Sequence, residues 1–280
     1  MTTAARTTTA DSAHWYTADG KPMHTVKAKA GHDRPTTLAD AKKLRLLPSP
    51  TSLLQILDKP ALTTWKIEQA VLSVLTASRK DGEEIDAFVQ RVLHTEKQQE
   101  QEGQAARDLG TEVHAAIERF LTRASYAATA KTDDDVWAMA KPACEWADVF
   151  AIRSVEKVLI GAGYAGKVDA IFADESRMLV VDFKTTSKLP KASYPEHRLQ
   201  LSAYAAAWQA ETDTPPNEIV TVNVYISKTE PGKIQVCENY GWLNDFAAFE
   251  KVLDLWCYMK GYDPRAGELS VADKISEAGL

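Results

Sequence analysis

A chain of 280 residues, 45% of them hydrophobic and 26% charged, can bury a sizeable core and has the composition of an ordinary globular protein. No apolar run reaches the roughly 18–20 residues needed to cross a bilayer. The opening Met-Thr-Thr-Ala-Ala-Arg lacks the basic and apolar regions of a secretory signal, so a location in the cytoplasm, away from membranes, is expected. Cys144, Cys237 and Cys257 are isolated, which excludes a disulfide framework, a structural zinc site and a four-cysteine iron–sulfur cluster.

The net charge of −6 argues against broad electrostatic binding of nucleic acid, but the charge is uneven. Residues 21–45 hold seven Lys or Arg against two Asp, a local balance of +5, leaving −11 on the other 255 residues. Such a basic arm suits DNA and equally suits a solvated tail.

Residues 1–35 are rich in Thr, Ala, Gly and Lys with little apolar periodicity, and are expected to form a mobile extension. A helical region, 36–150, follows. One short segment covers 37–47, and Ser49-Pro50-Thr51 opens another carrying Leu53, Leu54, Ile56 and Leu57. Trp65, Ile67, Val71, Leu72 and Leu75 recur at helical spacing in a third. Asp81-Gly82 breaks the pattern before a helix with Ile85, Phe88, Val89 and Val92. A long helix over about 97–123 shows the stripe Leu109, Val113, Ile117, Phe120 and Leu121, and a shorter one spans 134–150.

The texture changes near Arg153. Three strands, 154–160, 164–173 and 178–184, are joined by connections short enough for an antiparallel meander. Ser193-Tyr194-Pro195-Glu196 reads as a capping box starting a helix to about Ala210. Strands 219–227 and 233–238, turned at Glu230-Pro231-Gly232, precede a last helix with Phe246, Phe249, Val252, Leu255 and Trp256. The expected architecture is α/β: a central mixed sheet flanked by helices, with a helical N-terminal region, a core over 151–262 and a tail over 263–280.

Two carboxylates and an ammonium stand out. Asp169 and Asp182 lie on adjoining strands in the spacing Asp-x12-Asp-x-Lys, ending at Lys184. Phosphodiester hydrolysis needs a hydroxide beside a polyanion and stabilisation of charge on the scissile phosphate; Mg²⁺ or Mn²⁺ on oxygen ligands supplies both. Asp169, Asp182 and the Phe183 carbonyl would offer those oxygens. On a strand Lys184 leaves the same face as Asp182, within reach of the phosphate and the attacking water, and burial beside a cation would lower its pKa. The competing reading is a salt-bridged Asp–Lys pair at a strand end.

Two helical pieces accompany this set. In Gly110-Thr111-Glu112-Val113-His114, His114 is four residues from Glu118 on one helix face. The imidazole suits metal ligation, with Glu118 acting through water or orienting the ring, or the two form an ordinary surface pair. In the near-uniformly apolar helix around Gln200-Leu201-Ser202-Ala203-Tyr204, Gln200 and Tyr204 share a side and a buried Gln needs partners; either they serve the site or they tether the helix. Glu156 is a weaker candidate ligand.

The order Gly-Thr-x-x-His, Gly-x-x-Asp, Asp-Phe-Lys-Thr, Gln-x-x-x-Tyr resembles the RecB-type branch of the PD-(D/E)XK nuclease superfamily over residues 107–208. Leu47-Pro48-Ser49-Pro50-Thr51 and Leu62-Thr63-Thr64-Trp65 are similar to elements preceding these motifs in mitochondrial genome-maintenance exonucleases and related phage proteins. The resemblance implies a restriction-endonuclease-like core, metal ligation by His114, Asp169 and Asp182, catalysis by Lys184, and support from Gln200 and Tyr204. Val168 replaces the proline of the superfamily's name, and the four cysteines of its iron–sulfur members are missing, so no cluster is expected. No helicase motif accompanies the set, so a stand-alone nuclease module is expected.

The leading expectation is a divalent-metal-dependent DNA exonuclease in recombination, repair or phage DNA processing, in a bacterial cell or phage-infected host. DNA, as single-stranded or duplex ends, is the expected partner; the helical N-terminal region would arch over a single strand, where Trp65, Trp15 or Tyr16 would stack on bases, with core packing the favoured alternative for Trp65. The alternatives are a structure- or sequence-specific endonuclease, or a non-catalytic DNA-binding module on the same fold. A homo-oligomer or a recombination-protein partner is compatible with the sequence but unsupported by any residue in it.

Overall fold

The computed structural model describes residues 14–28, 31–57, 60–122 and 133–266; within these, the side chains of 60–62, 65–66, 69–70 and 93–108 are not described. The centre is a five-stranded sheet of β5 (Ala151–Gly161), β6 (Tyr164–Ala173), β7 (Met178–Thr186), β8 (Ile219–Ser227) and β9 (Ile234–Asn239), in that spatial order. β5, β6 and β7 form the antiparallel meander. β7 and β8 are parallel, which requires a crossover, and the helix α6 (Pro195–Thr212) provides it. β9 returns antiparallel through a turn closed by the Lys233 amide donating to the Glu230 carbonyl at 3.1 Å.

Both faces of the sheet are covered, so its inner strands are near-continuous apolar runs. On one face lie α6 and α7 (Trp242–Lys260), with Val180, Leu201, Trp242, Phe249 and Trp256 among the buried residues. On the other lie α4 (Ile85–Leu121) and α5 (Asp134–Ala147), packing Val113, Ile117, Val136 and Met139 against Phe172, Leu179, Val181, Phe183, Val222 and Val224. Each fully buried Val or Leu contributes roughly 1.5–3 kcal/mol relative to exposure. All three cysteines are buried and free, and burial pushes the Cys144 thiol up to about 12. Among the described residues no helix is long and apolar enough to cross a membrane.

Three expectations need correction. Residues 14–28 are not a mobile extension. β1 (Trp15–Tyr16) pairs with β4 (Leu47–Pro48), and Trp15 and Tyr16 are buried, so neither is presented to bases. Their two apolar rings outweigh the polar composition around them. Within the basic arm Lys21, Lys27 and Arg34 pair with Asp19, Asp33 and Asp40. β2 (Thr25–Lys27) and β3 (Asp33–Pro35) form a small hairpin there.

The helices expected before and after residue 97 are one continuous α4, because no breaker separates them. Finally, the Ser193 capping box does not form. Tyr194 is the N-cap without a side-chain cap bond; its amide donates to the Tyr225 hydroxyl at 3.1 Å, while Ser193 Oγ accepts from Asn239 Nδ2 at 3.2 Å. Tertiary partners have displaced the local motif.

The starts of α1 and α2 follow local chemistry. Thr37 and Asp40 form a capping box on α1 (Leu38–Leu44). Ser49 caps α2 (Pro50–Leu54) with Pro50 in its first turn. In α3 (Pro60–Thr76), Ile67, Val71, Val74 and Leu75 are exposed. The side chain of Trp65 lies outside the described residues, as do residues 1–13 of the expected extension and 267–280 of the expected tail.

Candidate metal centre and catalytic site

The site forms where β6 and β7 part. Their ladder ends at the Ala170–Val181 pair, and Asp169 and Asp182 are the next residue on each strand. The Phe183 amide, freed from the ladder, donates to Asp169 Oδ2 at 2.7 Å. A carboxylate has taken the place of a strand carbonyl.

Side-chain alternation also breaks here. Val168 packs towards α6 and Ala170 towards α4, although residues two apart on a strand normally share a face. Glu156 lies opposite, between the Val155–Ala170 and Lys157–Val168 pairs, with a left-handed φ of 53°. A non-glycine residue in that region costs of order 1 kcal/mol or more, a strain found most often at functional sites.

Two motif glycines have steric causes. A Cβ on Gly110 would lie 2.9 Å from Thr185 Oγ1, so glycine lets α4 approach β7 and bring His114 to the sheet. A Cβ on Gly166 would lie 2.8 Å from Pro50 Cδ and 2.9 Å from Tyr204 Cε1, so glycine admits α2 and the Tyr204 ring against β6. Backbone proximity, rather than turn geometry, explains both.

His114 Nδ1 reaches Asp169 Oδ2 at 3.5 Å from the α4 side. From the α6 side, Gln200 Nε2 donates to Asp182 Oδ1 at 3.4 Å, and the Tyr204 hydroxyl is hydrogen-bonded to Gln200. Lys184 Nζ donates to Asp182 Oδ1 at 2.5 Å. The side chain of Asp182 is 4% exposed and that of Lys184 is 28% exposed, so the pair is held at the wall of the site with the ammonium nearer to solvent. Phe183 buries its ring in the α4-side core.

Glu118 and Glu156 line one narrow cleft with His114 and Asp169. Glu156 is committed to an ion pair with Lys167. Its charge is therefore balanced by the Lys167 ammonium where it lines the cleft.

Sequence reasoning missed Asn223. It is aligned with Asp182 across the β7–β8 ladder, is fully buried, and donates from Nδ2 to Asp182 Oδ2 at 3.3 Å, leaving Oδ1 without a partner. The reverse orientation would set an amide oxygen against a carboxylate, so the electrostatics select this one. The signal was in the sequence: a lone amide inside Ile-Val-Thr-Val-Asn-Val-Tyr-Ile-Ser, a run that is otherwise almost wholly apolar.

Burial, followed by the neighbouring Asp182, raises the Asp169 carboxyl to about 6, against the smaller opposing pull of His114 and Lys184. Burial pulls the Lys184 ammonium down, but Asp182 and Asp169 outweigh it and its pKa is raised. Burial also pushes the Tyr204 hydroxyl well above its ordinary value, so it stays neutral.

These residues fit a hard divalent cation. Two mutually repelling carboxylates gain from positive charge between them, and Asp169, Asp182 and His114 are suitable donors. Among the described residues no three His, Cys, Asp or Glu side chains form a ready cage.

One comparison with known proteins bears on this site. Residues 143–255 match the model of the PD-(D/E)XK nuclease superfamily. No curated protein matches the chain. Among solved structures, the chain is similar to the crystal structure of SSO0001, at 19% identity over 39% of this chain and 52% of that one, with a TM-score of 0.27. A likeness that weak carries no argument. The matched stretch contains Asp169, Asp182, Lys184, Gln200, Tyr204 and Asn223 on the five-stranded mixed sheet, and His114 lies before it. Residues 143–255 thus match the PD-(D/E)XK nuclease superfamily, and that likeness suggests metal-dependent cleavage of nucleic acid at this sheet.

Proposed function

We propose that the protein is a divalent-metal-dependent deoxyribonuclease of the RecB-type branch that hydrolyses phosphodiester bonds from DNA ends. The observation that carries this reading is the meeting of Asp169, Asp182 and Lys184 at the parting of β6 and β7, with His114 and Gln200 arriving from opposite faces of the sheet. The end-directed part rests on the ordered motifs from Gly110 to Tyr204 and the helical region before them.

Asp169, Asp182 and His114 would hold Mg²⁺ or Mn²⁺, which supplies Lewis acidity and an activated water. The chain's own residues do the rest. Asp182 is fixed by hydrogen bonds from Gln200, Asn223 and Lys184. Asp169 is oriented by the Phe183 amide. The Lys184 ammonium, charged and partly exposed, is placed to meet a phosphate oxygen and neutralise charge that grows as the bond breaks. Gln200 and Tyr204 hold the Asp182 wall in place from α6, closing that side with packed apolar residues.

The test is cleavage of end-labelled linear single- and double-stranded DNA beside a covalently closed circle, with Mg²⁺ or Mn²⁺. Loss of label from linear DNA with the circle intact is the expected result. Cut circles would move the reading to an endonuclease, and no cleavage with either ion would leave a binding module.

A further inference from the structure

Beyond Lys184 the same sheet face continues into a cationic and aromatic rim that hydrolysis itself does not require. In the parallel register Lys184 is level with Tyr225, and Thr186 with Ser227. Tyr225 is fully buried, and its hydroxyl holds the Tyr194 amide at 3.1 Å and His197 Nδ1 at 2.9 Å. Tyr194 stands edge-on to both, its centroid 5.9 Å from Tyr225 and 5.5 Å from His197, and is 42% exposed. A large ring, partly open to solvent, is thus held against Tyr225, the residue level with Lys184 on the next strand.

Two strand ends are tied together just past it. The Lys228 amide donates to the Thr186 carbonyl at 2.8 Å, Thr229 Oγ1 donates to the Ser187 carbonyl at 2.9 Å, and Thr186 Oγ1 donates to the Lys188 carbonyl at 3.0 Å. These bonds bring Lys188 and Lys228 to the same end of the sheet, with Lys191 on the connection leading to Tyr194. At about 3.3 Å per strand residue, the Thr186 level lies about 7 Å beyond Lys184. None of Lys188, Lys191 and Lys228 forms an ion pair among the described residues, unlike Lys21, Lys27, Lys157, Lys167 and Lys233. On a chain of net charge −6, these three cations gather at one end of the sheet beside the site.

We propose that this rim binds a single DNA strand running off the scissile phosphate, Lys188, Lys191 and Lys228 meeting phosphates and Tyr194 stacking on a base. Charge complementarity selects a polyanion, and an exposed ring held edge-on to Tyr225 and His197 selects unpaired bases, whose faces are free to stack. The inference rests on the nuclease reading and adds to it a strand path and a single-strand preference.

The experiment measures binding of fluorescein-labelled oligothymidylate and of a blunt duplex in EDTA, which prevents hydrolysis, over a series of salt concentrations. The Lys188→Ser, Lys191→Ser, Lys228→Ser triple variant should bind the single strand at least about tenfold more weakly. Its log–log salt slope should fall by about 2, from three contacts at about 0.7 each. Tyr194→Ser should weaken binding about tenfold with no change in slope. A control of equal charge, Lys42→Ser, Lys43→Ser, Arg45→Ser on α1, should retain the affinity and slope of the unchanged protein. Circular dichroism melts verify that each variant folds.

Unchanged single-strand binding in the first two variants, loss in the α1 control instead, or equal affinity for blunt duplex would overturn the proposal. Failure of the unchanged protein to cleave DNA with either metal would overturn the nuclease reading instead, so the two failures are distinct.

Discussion

Residues 178–181 of β7 pair with β6 on one side and β8 on the other, whereas residues 182–186 pair with β8 alone. The first half places Leu179, Val180 and Val181 in the two cores with no exposure. The second half carries Asp182 and Lys184, and its freed amide is taken by Asp169. One strand therefore builds the scaffold and then, where its neighbour departs, the site. Opening a ladder leaves backbone groups that need partners, and here the groups that satisfy them are the ones that would hold a metal. Asp182 and Lys184 follow directly on the laddered half, which anchors them in the two cores.

Substitutions in the two halves should separate cleanly. Asp182→Asn removes charge from the open half with little change of shape, and should lower DNA cleavage by about a thousandfold or more while the folded state persists. Cleavage assays and thermal melts on the same sample check this. Asn223→Ala should weaken Mn²⁺ binding about 10–100-fold, as loss of a residue that orients a ligand does, which calorimetric titration would read without any turnover. A variant with unchanged Mn²⁺ affinity would reduce Asn223 to packing.

In the laddered half the opposite pattern is expected. Leu179→Ala should cost about 2–5 kcal/mol of stability in denaturant unfolding, with cleavage retained at low temperature. Loss of cleavage in a fully folded Leu179→Ala protein would show that the two halves are not separable.

The smallest effect concerns pH. The Asp169 carboxyl, at about 6, lies above its ordinary value, so ionising it disfavours the folded state. Its stabilising contribution is whole below about pH 4 and is lost as pH rises towards 6. Compared with Asp169→Asn, the metal-free protein should lose melting temperature across that window, and Mg²⁺ at pH 7 should restore part of it. Parallel melting curves for the two proteins would contradict the assignment.

Much of this was legible in the sequence because the residues that carry chemistry interrupt strong patterns. Asp182 and Lys184 end an apolar strand, and His114 sits on a clear helical stripe. Asn223 gave the same kind of signal and was passed over, because a single amide in a strand has no motif around it. What failed to show was tertiary override. Ser193 looked like a cap but bonds to Asn239, and Trp15 and Tyr16 looked like part of a tail but are buried. The Lys184 pKa depends on carboxylates whose distance no linear spacing reveals.

The most direct measurement is DNA cleavage by the unchanged protein and by Lys184→Ala, each with Mg²⁺, with Mn²⁺ and with EDTA. The account predicts metal-dependent hydrolysis that EDTA abolishes and that falls by at least about a hundredfold in the variant. Cleavage that persists in EDTA, or that is undiminished in a folded Lys184→Ala protein, would contradict it.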